Sequence, residues 1–261
     1  MARQRMLPVA DRRSITERLC WLSFDAPDIA REARPGQYLL LQCDEPDGTT
    51  RLLPRALAVA GVEPALGQIG VMFAPDEPGL AWLAGRHPGD RVSAVGPLGR
   101  PFQIDGRTRS LLLLGDGSGI AALLLLAREA IQRRCNVTFF AGADDAQLLP
   151  PPFLMPPEIE YQTTTASSTT LLHAAAGSEH PLRWADQVGA ALPVAVVPTL
   201  REVIQQVRLR WERGYASVLL AGPIICGVGA CGVCAVEVRR GIRLLCEDGP
   251  VFDLKELGRT A

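Results

Sequence analysis

The pattern of apolar and polar positions divides most of the chain into two regions. In the first, short apolar runs alternate with turns rich in proline and glycine. Short strands joined by such turns are typical of a small antiparallel β-barrel, which we predict over residues 1–103. The predicted strands are Trp21–Phe24, Tyr38–Cys43, Arg55–Ala60, Gly70–Ala74 and Arg91–Val95, with one short helix at Gly79–Gly85.

In the second region the apolar segments follow a different order. A buried strand at Ser110–Leu114, a helix at Ile120–Arg134 and a strand at Asn136–Ala141 form a βαβ pattern. Because such a unit places its strands in parallel, we predict an α/β nucleotide-binding domain with a parallel sheet over residues 104–215. Other elements predicted here are strands at Glu158–Thr164 and Val194–Val197, a surface loop at Thr163–Thr170 and a helix at Leu200–Arg213.

Four cysteines in the last part of the chain follow the spacing C-x4-C-x2-C-x11-C; they are Cys226, Cys231, Cys234 and Cys246. The first three intervals are those of a plant-type [2Fe–2S] loop, in which each iron takes two thiolates. Glycines between the cysteines let the loop turn tightly and bring backbone N–H groups to the sulfurs. A hairpin of Ala235–Val238 with Ile242–Leu245 would return Cys246 to Cys234. We therefore predict a C-terminal cluster-binding segment over residues 216–261.

Two other interpretations of these cysteines stay open at this point. Zinc sites usually combine two C-x2-C pairs or mix cysteine with histidine, whereas this segment has one C-x2-C pair. A disulfide framework suits small secreted domains, and the first residues of the chain lack the apolar core of a secretory signal. A metal or cluster site of this kind needs a reducing compartment.

Composition and charge narrow the function classes further. The chain has 261 residues, of which 48% are hydrophobic, and a formal net charge of −1. Neither nucleic acid nor an anionic membrane is therefore expected as a partner. The most apolar run, Ser110–Ala127, contains several glycines and is flanked by arginines, which favours a strand–turn–helix over a membrane span. We expect a cytoplasmic protein with no membrane span.

A glycine-rich turn follows the first predicted strand of the α/β region. Glycines at Gly115, Gly117 and Gly119 would let the backbone approach a pyrophosphate, and the following helix N-terminus favours an anion. Glycines at such a corner can equally serve close packing alone, so both interpretations stay open. No Ser–His–Asp set or carboxylate pair stands out in the sequence, so we assign no catalytic residue.

Five further motifs are spread over almost the full chain. They are Pro35–Tyr38 (PGQ-aromatic), Leu53–Val59 (R-P-x-S-[IV]), Gly96–Phe102 (GPLG-x-x-F), Gly115–Ala122 (GGG-x-G-[IV]-A-P) and Cys246–Phe252 (C-x-DGPVF). Together with the cysteine spacing they resemble the ferredoxin–NADP reductase superfamily, and within it the electron-transfer subunits of NAD-dependent dihydroorotate dehydrogenase. The last motif and the cysteine spacing are the parts most specific to that family.

The resemblance implies an oxidoreductase electron-transfer subunit rather than a complete enzyme. It would relay electrons between a flavin/nicotinamide couple and a catalytic flavoprotein partner, in a hetero-oligomer of pyrimidine biosynthesis. The resemblance also implies a [2Fe–2S] cluster on the four cysteines and a nucleotide turn at Gly115, Gly117 and Gly119. The residues that it assigns to FAD are Arg55, Ala56, Leu57, Ala58, Gly79 and Leu80.

Several residues depart from the family pattern. Ala56 and Ala58 stand where the family has proline and serine, and Leu80 replaces a threonine, so hydroxyl contacts to FAD are lost. Asp116 replaces a glycine in the nucleotide turn, and the family's C-G-P turn survives only as Val197–Pro198. We therefore expect FAD to bind with reduced strength and NAD to bind weakly or not at all. Two alternatives follow: a homologous subunit of another redox complex, or a cluster-bearing scaffold whose flavin and nicotinamide sites have decayed.

Overall fold

The protein consists of a closed barrel, a six-stranded sheet with flanking helices, and a cysteine-bearing segment inserted into that sheet. The computed structural model describes residues 4–44, 53–177, 181–208 and 210–258. This architecture confirms the predicted fold class, an α+β chain with an antiparallel barrel and an α/β unit. The division into 1–103, 104–215 and 216–261 stays a prediction.

The barrel contains strands β1 (Gln4–Ser14), β2 (Cys20–Asp25), β3 (Tyr38–Leu41), β4 (Arg55–Glu63), β5 (Gln68–Phe73) and β6 (Arg91–Leu98), with helices α1 (Pro27–Glu32) and α2 (Pro78–Ala84). The strands close antiparallel in the order β1-β2-β5-β4-β3-β6. Strand β1 and helix α1 were not predicted. In β1 only Leu7 and Val9 are buried, and polar side chains cover the rest, so its apolar signal is weak.

Strand β3 separates two faces of the barrel wall. Leu39 and Leu41 lie in the barrel core, whereas Tyr38 and Leu40 lie on the outer face and belong to a second apolar core. This is the alternation expected of a strand, whose successive side chains point to opposite sides. The outer face of β3 is therefore covered by another part of the chain.

The sheet contains β7 (Ser110–Asp116), β8 (Asn136–Gly142), β9 (Glu160–Thr164), β10 (Gln187–Leu192), β11 (Ala216–Leu220) and β14 (Val251–Asp253), with helices α3 (Ile120–Gln132), α4 (Ser168–Ala175), α5 (Pro181–Trp184) and α6 (Val197–Val207). The order is β14-β11-β10-β7-β8-β9, and only β14 pairs antiparallel to its neighbour. The predicted βαβ unit is confirmed as β7–α3–β8. Beyond it the chain builds a parallel sheet closed at one edge by β14.

Three predictions in this region were wrong. The last helix, which we predicted to end at Arg213, ends at Val207. Val194–Val196 forms a 3₁₀ turn instead of a strand, and the strand lies earlier, at β10. The centre of β10 is Gly189–Ala191, whose small side chains gave little apolar signal. The predicted loop at Thr163–Thr170 is shorter than expected, because α4 already begins at Ser168. Ser167 accepts the Thr170 N–H and caps this helix.

The cysteine-bearing segment lies between β11 and β14 and contains the antiparallel hairpin β12 (Ala235–Val238) with β13 (Gly241–Leu244). The predicted hairpin is thus confirmed. Its side chains join the second apolar core, which also holds Tyr38, Leu40 and Leu98 of the barrel. Within the described ranges, no helix is long and apolar enough to cross a membrane.

Candidate functional site

The four cysteines of the inserted segment lie in two sulfur pairs. The Sγ atoms of Cys226 and Cys231 are 3.3 Å apart, and those of Cys234 and Cys246 are 3.4 Å apart. The second pair forms because the hairpin β12–β13 begins directly after Cys234 and ends just before Cys246. Two close thiol pairs are the arrangement that a two-iron cluster needs, with two thiolates on each iron.

The backbone of the loop favours thiolates at this position. Three glycines between the cysteines adopt positive φ: Gly227, Gly229 and Gly232. The N–H of Gly229 donates to Cys246 Sγ at 3.3 Å. N–H groups of Val228 and Cys231 lower the pKa of the Cys226 thiol from 9.0 to about 6. Since the thiolate is the form that binds metal, these inward N–H groups prepare the site for a cluster.

The two pairs differ in their exposure to solvent. Cys234 and Cys246 are buried, with 2% and 4% of their surface exposed, whereas Cys231 is exposed and Cys226 half-buried. Burial and the hydrogen bond with Cys234 together raise the pKa of Cys246 to about 11. The site therefore has an inner pair against the protein core and an outer pair at the surface.

The arrangement does not favour the zinc alternative. A structural zinc ion needs four ligands placed tetrahedrally around one point. The four sulfurs instead lie as two close pairs, Cys226 with Cys231 and Cys234 with Cys246. Two separate sulfur pairs suit two bridged irons better.

Tyr38 brings a hydroxyl without a partner to the inner side of this site. Its side chain is 3% exposed, and its Oη has no hydrogen-bond partner among the described residues. Burial raises the pKa of Tyr38, and charges on Cys246, Cys234 and Cys226 raise it further, so the phenol lies within electrostatic reach of both pairs. An unsatisfied buried hydroxyl costs about 1–3 kcal/mol. The orphaned donor indicates an acceptor that this chain alone does not supply.

Two of the residues predicted to line the flavin, Ala56 and Ala58, lie on the outer face of the barrel. Ala56 faces Leu40 and Ala58 faces Tyr38 in the β3–β4 register. Ala56 packs against the apolar core that contains the cysteines, whereas Leu57 packs against the barrel core. Of the predicted flavin residues on β4, Ala56 and Ala58 thus share the face that carries Tyr38, and Leu57 lies on the opposite face.

The cysteine loop is seated directly on this outer face. A Cβ built on Gly227 would lie 2.7 Å from Leu40 Cδ1 and 2.8 Å from Leu98 Cδ1. Such distances are shorter than a normal contact between carbon atoms, about 3.5–4.0 Å. A side chain here would have to displace the ends of Leu40 and Leu98, and the φ of +71° itself favours glycine.

Glu77, which the sequence analysis did not single out, brings together three of the predicted flavin residues, Arg55, Gly79 and Leu80. Nε and Nη2 of Arg55 donate to the two carboxylate oxygens of Glu77, at 3.0 and 2.6 Å. The same carboxylate accepts the N–H groups of Gly79 and Leu80, at 3.0 and 2.6 Å. The Arg55 hydrogen bond lowers the pKa of Glu77. Pro78 after Glu77 marks a helix start, but nothing in the sequence links Glu77 to Arg55.

The glycine-rich turn lies at the carboxyl end of β7, where the strand order switches between β8 and β10. Ligands of open α/β sheets bind at such switch points. A Cβ on Gly119 would lie 2.6 Å from the carbonyl oxygen of Ala191, and one on Gly115 would lie 3.1 Å from Leu123. Gly117 has open space and a φ of +52°. Close packing thus accounts for Gly115 and Gly119, and only Gly117 presents a free backbone turn.

Asp116 adds a carboxylate to the same edge of the sheet. Its Oδ2 accepts a hydrogen bond from Ser168 Oγ at 2.7 Å, in the first turn of α4. Val197 and Pro198 lie in the first turn of α6, which follows β10 after the 3₁₀ turn. A fixed carboxylate beside the turn disfavours a second anion there, because like charges repel.

Known proteins are similar both to the cysteine segment and to the whole chain. Residues 223–258, which include the four cysteines, match the iron-sulfur cluster binding domain of dihydroorotate dehydrogenase B. Over 236 residues the chain is 31% identical to the electron transfer subunit of dihydroorotate dehydrogenase B (NAD(+)) from Desulforamulus reducens, covering 89% of each chain. The chain belongs to this family of electron transfer subunits. The family's member from Geobacillus thermodenitrificans is 27% identical over 263 residues and covers 98% of this chain and 99% of its own.

Solved structures show the same fold at lower identity. An NADH-dependent reduced ferredoxin-NADP oxidoreductase that performs flavin-based electron bifurcation is 23% identical, with a TM-score of 0.78 over 97% of this chain and 90% of its own. The ferredoxin reductase in carbazole 1,9a-dioxygenase is 20% identical, with a TM-score of 0.64 over 78% of this chain and 66% of its own. Both likenesses concern the fold.

The cofactors of the family fit the residues present to different degrees. For a [2Fe–2S] cluster the fit is good, because the thiols are paired, N–H groups point at them and the Tyr38 hydroxyl lacks an acceptor. For FAD the outer barrel face with Ala56 and Ala58 is suitable, but the donors of Arg55 already hold Glu77. For NAD the fit is poorest, since Asp116 stands in the turn.

Proposed function

We propose that this protein is an electron-transfer subunit that passes electrons between FAD on the barrel and a [2Fe–2S] cluster on the cysteine loop. The observation that carries the proposal is the direct contact between the two sites. Gly227 of the loop rests on Leu40 and Leu98, beside the barrel face that presents Ala56 and Ala58. When bound, the flavin exchanges electron pairs for single electrons, and the cluster accepts single electrons.

The residues of this chain hold and tune the two centres. Cys226 and Cys231 would hold one iron, and Cys234 and Cys246 the other. The N–H of Gly229 and the hydroxyl of Tyr38 would donate to sulfur, and such hydrogen bonds raise the reduction potential of a cluster. The buried side chains around the inner pair exclude water from that side of the site.

The proposed partner is a catalytic flavoprotein subunit of the dihydroorotate dehydrogenase type, in a hetero-oligomer of pyrimidine biosynthesis. Oxidation of dihydroorotate would occur in that partner, so this chain needs no catalytic residue of its own. Two large apolar side chains within the cysteine loop are exposed, Val228 (63%) and Val233 (48%), and Ile242 (65%) is exposed on the hairpin that follows. Exposed apolar groups beside a redox site are suited to docking of a protein partner.

Positive charge beside the hairpin adds a second feature of the docking surface. A cavity of about 800 Å³ is lined by Arg100, Arg213, Arg239, Arg240, Arg243 and Lys255, against the carboxylates of Asp248 and Glu256. This excess of positive charge arises in a chain whose net charge is −1. We therefore expect the facing surface of the partner to be acidic and the association to weaken as salt concentration rises.

Anaerobic purification followed by cofactor analysis tests the proposal. We expect a visible spectrum with both flavin and [2Fe–2S] bands, and about two irons per chain. Iron without flavin, even after addition of FAD, would support the scaffold alternative.

Because cluster thiolates need a reducing compartment, we propose that the protein is located in the cytoplasm.

Two further measurements separate the remaining alternatives. Co-expression with a dihydroorotate dehydrogenase catalytic subunit should give a stable complex, whereas exclusive capture of a different flavoprotein would favour another redox complex. Titration of the flavin-loaded protein with NADH should bleach the flavin slowly and incompletely, because of Asp116. Rapid, stoichiometric bleaching by micromolar NADH would show that the nicotinamide site is intact.

A further inference from the structure

Four donors of the barrel converge on one anion, and that anion belongs to the chain itself. The guanidinium of Arg55 binds both carboxylate oxygens of Glu77, and the N–H groups of Gly79 and Leu80 bind the same two oxygens. A guanidinium fork combined with free N–H groups at a helix start is an arrangement that proteins use for phosphate. The arrangement is accessible from solvent, since the side chains of Arg55 and Glu77 are 25% and 34% exposed.

We propose that Glu77 is an internal competitor for the phosphate of the flavin. In the unloaded protein its carboxylate takes the donors of Arg55, Gly79 and Leu80. For a flavin phosphate to bind there, Glu77 must turn out toward solvent, because two anions repel each other at one set of donors. This inference rests on the proposed flavin-binding function and names a residue that sets the affinity for it.

The geometry indicates that the Glu77 carboxylate can leave Arg55, so that their ion pair need not be permanent. Glu77 is at a helix boundary, as the residue directly before Pro78, and its side chain is partly exposed, so a rotation of its own χ angles frees the donors. The guanidinium of Arg55 lies across Gly79, where an added Cβ would be 2.6 Å from Cζ. Arg55 thus lies beside the two N–H groups, and the hydrogen bond from its Nη1 to the carbonyl oxygen of Leu53 does not depend on Glu77.

The size of the effect follows from the exposure of the pair. A partly exposed ion pair in high dielectric is weak, so competition by Glu77 should reduce flavin affinity by about two- to fivefold, without abolishing binding. Riboflavin carries no phosphate, and its binding should not be subject to this competition. A gain in affinity that occurs only for flavins with a phosphate would not be produced by a merely structural role of Glu77.

Two variants remove the competing charge in different ways. Glu77→Gln keeps the size of the side chain, and Glu77→Ser keeps a favoured helix N-cap that accepts one N–H bond. The matched control is Glu63→Gln, since Glu63 lies at the other end of β4 and its carboxylate pairs with Arg128 at 3.8 Å. Dissociation constants for FAD, FMN and riboflavin are measured by fluorescence titration of the flavin-free, cluster-loaded protein.

The expected result is tighter binding of FAD and FMN in both Glu77 variants, by about two- to fivefold, with riboflavin unchanged and the Glu63→Gln protein like wild type. Unchanged or weaker FAD binding in folded Glu77→Ser and Glu77→Gln proteins would overturn the inference, as would an equal gain for riboflavin. If wild type binds FAD but the variants show no gain, only the inference fails. If neither wild type nor the variants bind FAD, the proposed flavin function fails as well.

Discussion

Substitution of Gly227 by alanine tests whether the cysteine loop is seated on the barrel. Gly227 and Gly232 both have a φ of +71°, so alanine at either position is strained by about 1–2 kcal/mol. A Cβ at Gly232 meets open space, whereas one at Gly227 lies 2.7 Å from Leu40 and 2.8 Å from Leu98. Overpacking of this kind costs a further 1–3 kcal/mol, roughly. The loss of unfolding free energy should therefore be about 2–5 kcal/mol for Gly227→Ala and about 1–2 kcal/mol for Gly232→Ala.

The assay is urea unfolding of the anaerobically loaded protein, followed by far-UV circular dichroism and by the visible absorbance of the cluster. In Gly227→Ala the cluster signal should disappear at a lower urea concentration than in Gly232→Ala. Gly89→Ala provides a control outside the loop, because Gly89 has a φ of +96° and its Cβ would meet open space. It reports the cost of backbone strain alone.

Equal midpoints for Gly227→Ala and Gly232→Ala would refute the reasoning. They would mean that the loop backbone does not rest on Leu40 and Leu98, and the proposed contact between flavin face and cluster would lose its main support. A midpoint for Gly227→Ala that lies below the midpoint for Gly232→Ala, in both signals, would show that the contact carries part of the stability of the fold.

Four other predictions follow from the same sites. Serine in place of any one of the four cluster cysteines should remove or strongly perturb the cluster; native iron content in all four variants would contradict the assignment. Tyr38→Phe should lower the reduction potential of the cluster by roughly 20–60 mV in a spectroelectrochemical titration, because one hydrogen bond to sulfur is lost; an unchanged potential would show that the hydroxyl serves another acceptor. Since Arg55 lowers the pKa of Glu77 from 4.5, the pair stabilises the fold fully above pH 4.5 and loses this contribution as pH falls through the lowered pKa. The stability gap between wild type and Glu77→Gln in urea should accordingly shrink in acid, and a constant gap would contradict this. Asp116→Asn should speed bleaching of the flavin by NADH, and no change would show that the carboxylate does not hinder the nucleotide.

The sequence predicted those parts of the fold whose signal is local. The hairpin around Arg239–Gly241 and the βαβ unit that begins at Ser110 both depend on apolar runs and turns within a few dozen residues. Strand β10 escaped prediction because its buried side chains are small, at Gly189–Ala191. Its place in the sheet is decided by the two parallel neighbours, β7 and β11, and neither of these is close to it in the chain.

In the candidate site, too, the features that the sequence did not predict depend on contacts between distant parts of the chain. The spacing of the cysteines predicted a cluster segment, but not which sulfurs would pair, because pairing depends on how the hairpin returns Cys246. Arg55 was predicted as a flavin contact from the motif around it. Its ion pair with Glu77 depends on where α2 meets the start of β4 in the closed barrel. Tyr38 was part of a motif, and only the folded chain shows that its hydroxyl lacks a partner.

The way in which the segment is anchored gives the two ends of the cluster site different roles. The inner pair, Cys234 and Cys246, is followed directly by Gly249 and Pro250, which are tied to the barrel through Arg100. Strand β14 then pairs with β11, so this half of the site is fixed by both the barrel and the sheet. The outer pair is anchored differently: Gly227, next to Cys226, rests on Leu40 and Leu98 of the barrel, whereas Cys231 is exposed. A docking partner would therefore change the surroundings of the exposed Cys231, while Cys234 and Cys246 would stay enclosed by this chain.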